Sequence, residues 1–270
     1  MKISLLQDAV RGLAHFLLSG LQQELEPIRL ARAGCALLMG GCSGKGAFPG
    51  GSLASYLAAV QRGDGGWGDV EETIWSLGYL AAVGDTYSVE ISRGEQWLET
   101  MRMPCRAWGK SQRDQPRIPI TALASVLAPD VVGHSALEWI ASQWEADLDS
   151  PTPLTYKGAF FLLSQRHDRA PDAHDLIART IAHLCQEQED DGGFGPWKDH
   201  PVGSDPWSTG VVLWGLSGFP DQSSTDVLER AISWLESKQL PNGLWPYHYM
   251  DDGSSMALIG LSKALPFLKE

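Results

Sequence analysis

At 270 residues and 29.4 kDa, with 43% apolar residues, the chain can bury one large core, and since nothing in it reads as a linker a single domain over residues 1–270 is expected. A formal net charge of -12 and a pI near 5.0 argue against a nucleic-acid partner, because phosphate backbones are held by basic faces. No apolar run approaches the roughly 20 residues that span a bilayer. Residues 1–25 do not read as a signal peptide, since Asp8 and Arg11 interrupt the apolar run. Cys35, Cys42, Cys105 and Cys185 form no CxxC pair, so reduced, mostly buried thiols in a cytoplasmic protein are expected.

Helical periodicity begins at once. Residues 5–25 (LLQDAVRGLAHFLLSGLQQEL) and 27–40 (PIRLARAGCALLMG) read as a helix pair. The next helix, 52–61, runs into Gln61-Arg-Gly-Asp-Gly65-Gly-Trp67, where Asp-Gly-Gly is turn chemistry, and then into an acidic helix start, DVEETIWSLGYL, over 69–80. Residues 94–108 and 117–128 repeat the arrangement, with Trp108 in place but Arg102 where the glutamine belongs. A fourth pair spans 135–146 and 152–165. Helix 175–188 leads through Gln188, Gly192 and Phe194 to helix 205–216, and helix 227–239 leads through Gln239, Gly243 and Trp245 to helix 251–261.

Three of these turns obey Q-x-x-x-G-x-[WF], so the chain is an array of repeats. Equating Thr73, Thr121, Thr209 and Ser255 separates the second helices by 48, 88 and 46 residues, and the long gap accommodates the fourth pair. The first helix of each pair is amphipathic, as an outer helix is; the second is small and apolar nearly all round, as a helix buried on both sides is. Six such pairs closing on themselves give an all-α fold, an α6/α6 toroid or α/α barrel, with inner helices around a central cavity.

From about Ser52 onward, the Gln, Gly and Trp/Phe frames resemble the QW motifs of the terpene cyclase and prenyltransferase superfamily, squalene-hopene cyclase in particular. The resemblance implies a structural role for Gln61, Trp67, Gln188, Phe194, Gln239 and Trp245, which would tie each outer helix to the next turn. It also implies a single-barrel relative of a family whose larger members have two such domains. Class II members of that family protonate an alkene or epoxide with the middle acid of a D-x-D-D-T stretch at the start of an inner helix. Asp69-Val70-Glu71-Glu72-Thr73 keeps that register, with Glu71 in the donor's place, Glu72 in the last acidic place and Asp69 in the first. Each Glu is one methylene longer than the family's Asp, which alters its reach.

The physics of such a cluster does not depend on the family. Acids crowded into one turn cannot all ionise cheaply, and partial burial raises the pKa of at least one; a carboxylic acid kept protonated beside an apolar cavity is the reagent required to protonate carbon. Whether Glu71 or Glu72 holds the proton stays open. Asp69 also reads as a helix cap, because Asp205 and Asp251 hold the same place in other repeats. Carbocations need an apolar, π-rich wall, and Trp75, Tyr156, Phe160, Trp207, Trp214 and Tyr247, with His248, are the candidate lining. Each alone reads equally as core packing. Arg102, Arg106, Lys110, Arg113 and Arg117 form a basic segment in an acidic chain; Arg117, at an inner-helix start, is a candidate dock for a substrate diphosphate or carboxylate, or else a salt-bridge partner of Asp114.

Other chemistries find no pattern. The segment 43–46 (SGKG) lacks the leading glycine of a P-loop, no D-D-x-x-D occurs, and Asp252-Gly-Ser-Ser-Met lacks the His or Cys that prenyltransferases use for zinc, so no cofactor and no metal are expected. His167, His174 and His183 are scattered and read as surface residues. The expected activity is a cyclase or isomerase acting on an isoprenoid or polyene-like small molecule, with peripheral membrane contact left open because an apolar substrate has to enter. The rivals are a toroid that merely binds a lipid, polyketide or peptide, and one that uses the acids for general acid or base work on a non-terpenoid intermediate.

Overall fold

The computed structural model describes residues 2–41, 50–166, 170 and 173–268; Cys42, the segment 43–46 and His167 lie outside the described residues. Twelve α-helices run in order among them: α1 (Lys2–Gln22), α2 (Pro27–Met39), α3 (Gly50–Val60), α4 (Val70–Val83), α5 (Ser88–Met101), α6 (Ile118–Leu127), α7 (His134–Leu148), α8 (Thr155–Ser164), α9 (Ala173–Gln186), α10 (Pro206–Leu216), α11 (Thr225–Lys238) and α12 (Met250–Ala264). The even-numbered helices form a closed ring, α2 against α4, α4 against α6, and so on to α12, which returns to α2. The odd-numbered helices lie outside, so every inner helix runs the same way and all six inner N-termini gather at one end.

Sequence sorts the two rings. The outer α11 buries Val227, Leu228, Ala231, Ile232, Trp234 and Leu235 and turns its charges outward. The inner α10 buries every residue except Trp207, since neighbours cover it on both sides. Small residues set the spacing there: a Cβ on Gly210 would lie 2.3 Å from the Met256 carbonyl, so α10 and α12 touch backbone to backbone.

The repeated turn holds the rings in register. Gln61 Nε2 donates to its own turn at Gly65 O (2.8 Å) and to Glu90 O at the next outer helix (2.8 Å). Gln188 does the same to Gly192 O and Val227 O, and Gln239 to Gly243 O and Leu5 O, the last bond joining the end of the chain to α1. The turn glycines have φ of +102°, +92° and +82°, a left-handed backbone that glycine adopts cheaply. Arg102 replaces a glutamine by donating to Val131 O. Thr73, Thr121 and Thr209 each accept the backbone N–H of the turn aromatic (Trp67, Trp108, Phe194), but in the last repeat Ser254 accepts from Trp245 while Ser255 bonds back to Asp251 O. Two side-chain expectations change. Cys105 is exposed in a loop, and His183 is half-buried beside Trp144 (ring centroids 6.1 Å) with its imidazole shifted toward neutrality by burial.

Candidate active site

A cavity of about 690 Å³, open to solvent on one side, lies at the N-terminal ends of α4, α6, α8 and α10 and reaches Trp139, Gln143 and Asp147 of the outer α7. Glu71 and Trp75 of α4 line it, four residues apart on one helix face, with Arg117 at the head of α6, Tyr156 and Phe160 of α8, and Trp207 of α10. Trp207 is the hub of the aromatic wall: Tyr156 meets it edge-on at 5.7 Å between centroids, and Phe160 lies at 6.2 Å. Ile120, Leu123 and Met256 make other parts of the wall apolar, while Lys110, Asp114, Asp147 and Lys157 bring charge.

Three acids share the start of α4 and divide the work. Asp69 is extended (φ -118°, ψ -176°) and its carboxylate accepts the Glu72 N–H at 2.9 Å, a helix cap outside the cavity lining. Glu72 turns away from the cavity toward the start of α2, where the nearby Ile28 N–H favours its charged form; burial, and then the charge of Asp69, outweigh this and push its carboxyl up to about 7. It does not line the cavity either. Glu71, about 100° further round the helix, does, and its Oε2 lies 3.1 Å from Lys110 Nζ.

The raised Glu72 carboxyl has a measurable consequence. Between its ordinary 4.5 and about 7 the folded state binds more protons than the unfolded one, so the stability it contributes is complete below pH 4.5 and is lost as pH rises through 7. Glu72→Gln keeps the shape of the side chain and removes the titration. Thermal melts across this window are expected to show the native protein losing stability relative to Glu72→Gln as pH rises; parallel curves would contradict the assignment.

A buried ion network closes the ring behind the cavity. Asp251, 1% exposed, accepts from Arg29 Nε (3.1 Å) and Nη2 (2.6 Å), linking the first inner helix to the last. Arg32 lies 3.0 Å from Asp252, though without hydrogen-bond alignment, and the Trp207 side chain lies close enough to favour the charged form of the same carboxyl. Burial raises the Asp252 carboxyl, Arg32 opposes this and Glu71 adds to it, so Asp252 and Glu71 feel one another. Arg32 did not stand out in the sequence, and Asp252 was weighed only as a zinc ligand. The available signal was two arginines three residues apart in an otherwise apolar inner helix, which demand buried partners.

The remaining candidates fall elsewhere. Arg117 lines the cavity but is engaged by Asp114 at 2.8 Å. Trp214 is buried among the inner helices, two turns beyond Trp207, and does not reach the cavity wall. Tyr247 packs over Gly253, near Asp205 and Asp252, with its phenol raised by burial; His248 is exposed against its ring at 4.6 Å. Both lie in the turn before α12, outside the cavity lining.

The closed α/α toroid is similar in fold to solved type II terpene cyclases, and the sequence is similar to a drimenyl diphosphate synthase. No protein-family profile matches it. Drimenyl diphosphate synthase from Streptomyces showdoensis is 28% identical over 221 residues, 71% of this chain and 40% of that protein, so the chain spans less than half the length of this relative. Among solved structures, type II terpene cyclase MstE from Scytonema superposes with a TM-score of 0.78 at 17% identity over 98% of this chain and 100% of its own. A variant of MstE in complex with its substrate, geranylgeranyl dihydroxybenzoate, gives 0.80 at 16% identity, with 99% of each chain covered. ent-Copalyl diphosphate synthase from Streptomyces platensis gives 0.61 at 18% identity over 87% of this chain and 50% of that one. At these identities the structures establish the fold. Among the described residues no helix is long and apolar enough to cross a membrane.

Proposed function

We propose that the chain is a class II terpene cyclase-like enzyme that protonates an unsaturated isoprenoid and directs ring closure in the aromatic cavity. The observation that carries this reading is the placement of Glu71, one helical turn from Trp75, on the wall of the cavity that Trp207 also lines. The carboxyl adds its proton to a terminal double bond and becomes a carboxylate; the resulting tertiary cation is attacked in turn by the chain's other double bonds. Loss of a proton from a carbon beside the last cation completes an isomerisation with no atom gained or lost overall. Trp75, Tyr156, Phe160 and Trp207 each offer a π face worth roughly 0.5–2 kcal/mol to a cation, and exclude the water that would quench it.

Lys110, Arg117 and Lys157 supply the charge for an anionic head group, and the drimenyl diphosphate synthase match favours a diphosphate that is retained, because nothing in the protonation route needs it to leave. The free thiols Cys35, Cys105 and Cys185 suit a reducing cytoplasm. Entry of so apolar a substrate suits brief contact with a membrane surface. Incubation with farnesyl and geranylgeranyl diphosphates, squalene and polyene acids is expected to yield a cyclic product of unchanged mass from one of them. Binding of these compounds with no isomer formed would reduce the toroid to a carrier.

A further inference from the structure

The Lys110–Glu71 pair stands across the chemistry proposed for it. A carboxyl that is to donate a proton must first hold one, yet an ion pair at 3.1 Å is made by the carboxylate. The lysine backbone is fixed beside α4, because Lys110 O accepts the Val70 N–H (3.1 Å) and its own N–H donates to Asp114 (3.1 Å). Its side chain is not so held: Lys110 is 47% exposed against 24% for Glu71, and its ammonium rides on a flexible four-carbon stem. Of the two partners, the ammonium is the one free to move.

The cavity is electrically balanced around this pair. Lys110 faces Glu71, Arg117 faces Asp114 at 2.8 Å, and Lys157 faces Asp147 at 2.7 Å. An arriving anion finds no spare cation unless one pair opens. Asp114 would keep the backbone N–H groups of Lys110 and Gln115, and Asp147 is 36% exposed and can turn to water. Glu71 has no such recourse. Its charged neighbours are Lys110, Arg117, Asp69 at the head of its own helix and, from α12, Asp252 backed by Arg32 of α2; with Lys110 withdrawn it keeps only Arg117, which is already engaged by Asp114, against the negative field of Asp252 and Asp69. Uptake of a proton is the cheapest relief.

Building on the cyclase reading above, we propose that Lys110 is a substrate-gated counter-ion: it neutralises Glu71 in the empty cavity and swings to the anionic head group of a bound isoprenoid, leaving Glu71 to take up the proton it later donates. One proton passes from solvent to Glu71 for each head group seated, and no bond of the head group breaks. The acid is thereby armed only behind a substrate, which spares the empty cavity a neutral acid.

Calorimetric titration of the full chain with inorganic pyrophosphate, in buffers of differing ionisation enthalpy at neutral pH, counts the protons taken up on binding. The native protein is expected to take up about one proton more per pyrophosphate than Glu71→Gln, whose subtraction removes the ligand's own titration. Lys110→Gln is expected to bind more weakly and lose that surplus. A parallel arm with benzoate distinguishes the head groups: a surplus with benzoate also means a carboxylate suffices, and a surplus with pyrophosphate alone assigns a diphosphate. Equal uptake by native protein and Glu71→Gln, an undiminished surplus in Lys110→Gln, or failure of both anions to bind overturns the gating. None of these results bears on isomer formation, so the cyclase reading stands or falls separately.

Discussion

Glu71→Gln is expected to lower turnover by about a hundred- to ten-thousand-fold, the contribution of a positioned general acid, while leaving the melting temperature nearly unchanged. The amide has the shape of the carboxyl and keeps the cavity wall intact, but it has no acidic proton to give. What it forfeits in stability is a half-exposed contact to Lys110, and such pairs contribute about 0–1 kcal/mol. Steady-state kinetics on whichever substrate yields an isomer, together with a thermal melt, check both halves. Near-native turnover would remove Glu71 from the mechanism.

Arg29→Met carries the opposite signature, a large loss of stability. Asp251 is 1% exposed and takes two hydrogen bonds from Arg29, 222 residues away in sequence, across the seam where α2 meets α12. Removing the arginine strands a buried carboxylate, and breaking a buried pair from one side costs about 3–5 kcal/mol. Arg32, 3.9 Å from Asp251, recovers a little of this, while the loss of the Arg29 guanidinium from the faces of Phe16 and Tyr249 adds to it. A loss near 3 kcal/mol corresponds to a melting temperature lower by roughly 6–12 °C, measurable by calorimetry or urea denaturation. The double variant Arg29→Met/Asp251→Leu, in which neither charge remains, is expected to regain much of it. Equal stability of Arg29→Met and the native protein would mean the seam is held by apolar packing alone.

Much of the fold was legible because its causes are periodic. Outer helices announce themselves by one apolar stripe and inner ones by apolarity all round, and the turn glutamines recur because each ties a carbonyl of its own turn to one of the next outer helix. The site was legible only in part. Trp75, Tyr156, Phe160 and Trp207 fall on the cavity because they lie within about one turn of an inner helix start. Trp214 lies too deep along α10, and Tyr247 and His248 belong to a turn that passes outside. Which acid faces inward was not readable, because consecutive helical residues point about 100° apart and the rotation of α4 is set by its neighbours. That rotation sends Glu72 to α2 and Glu71 to the cavity. The Arg29–Asp251 and Arg32–Asp252 contacts were hidden by sequence distance, since only closure of the ring brings them together.

Turnover in deuterated water examines the proposed protonation most directly. If a carboxyl in exchange with solvent starts the reaction, the cyclic product made there carries one deuterium at the carbon first protonated, retains any diphosphate, and is not formed by Glu71→Gln. A product free of deuterium, or release of pyrophosphate as the rings form, would contradict the account.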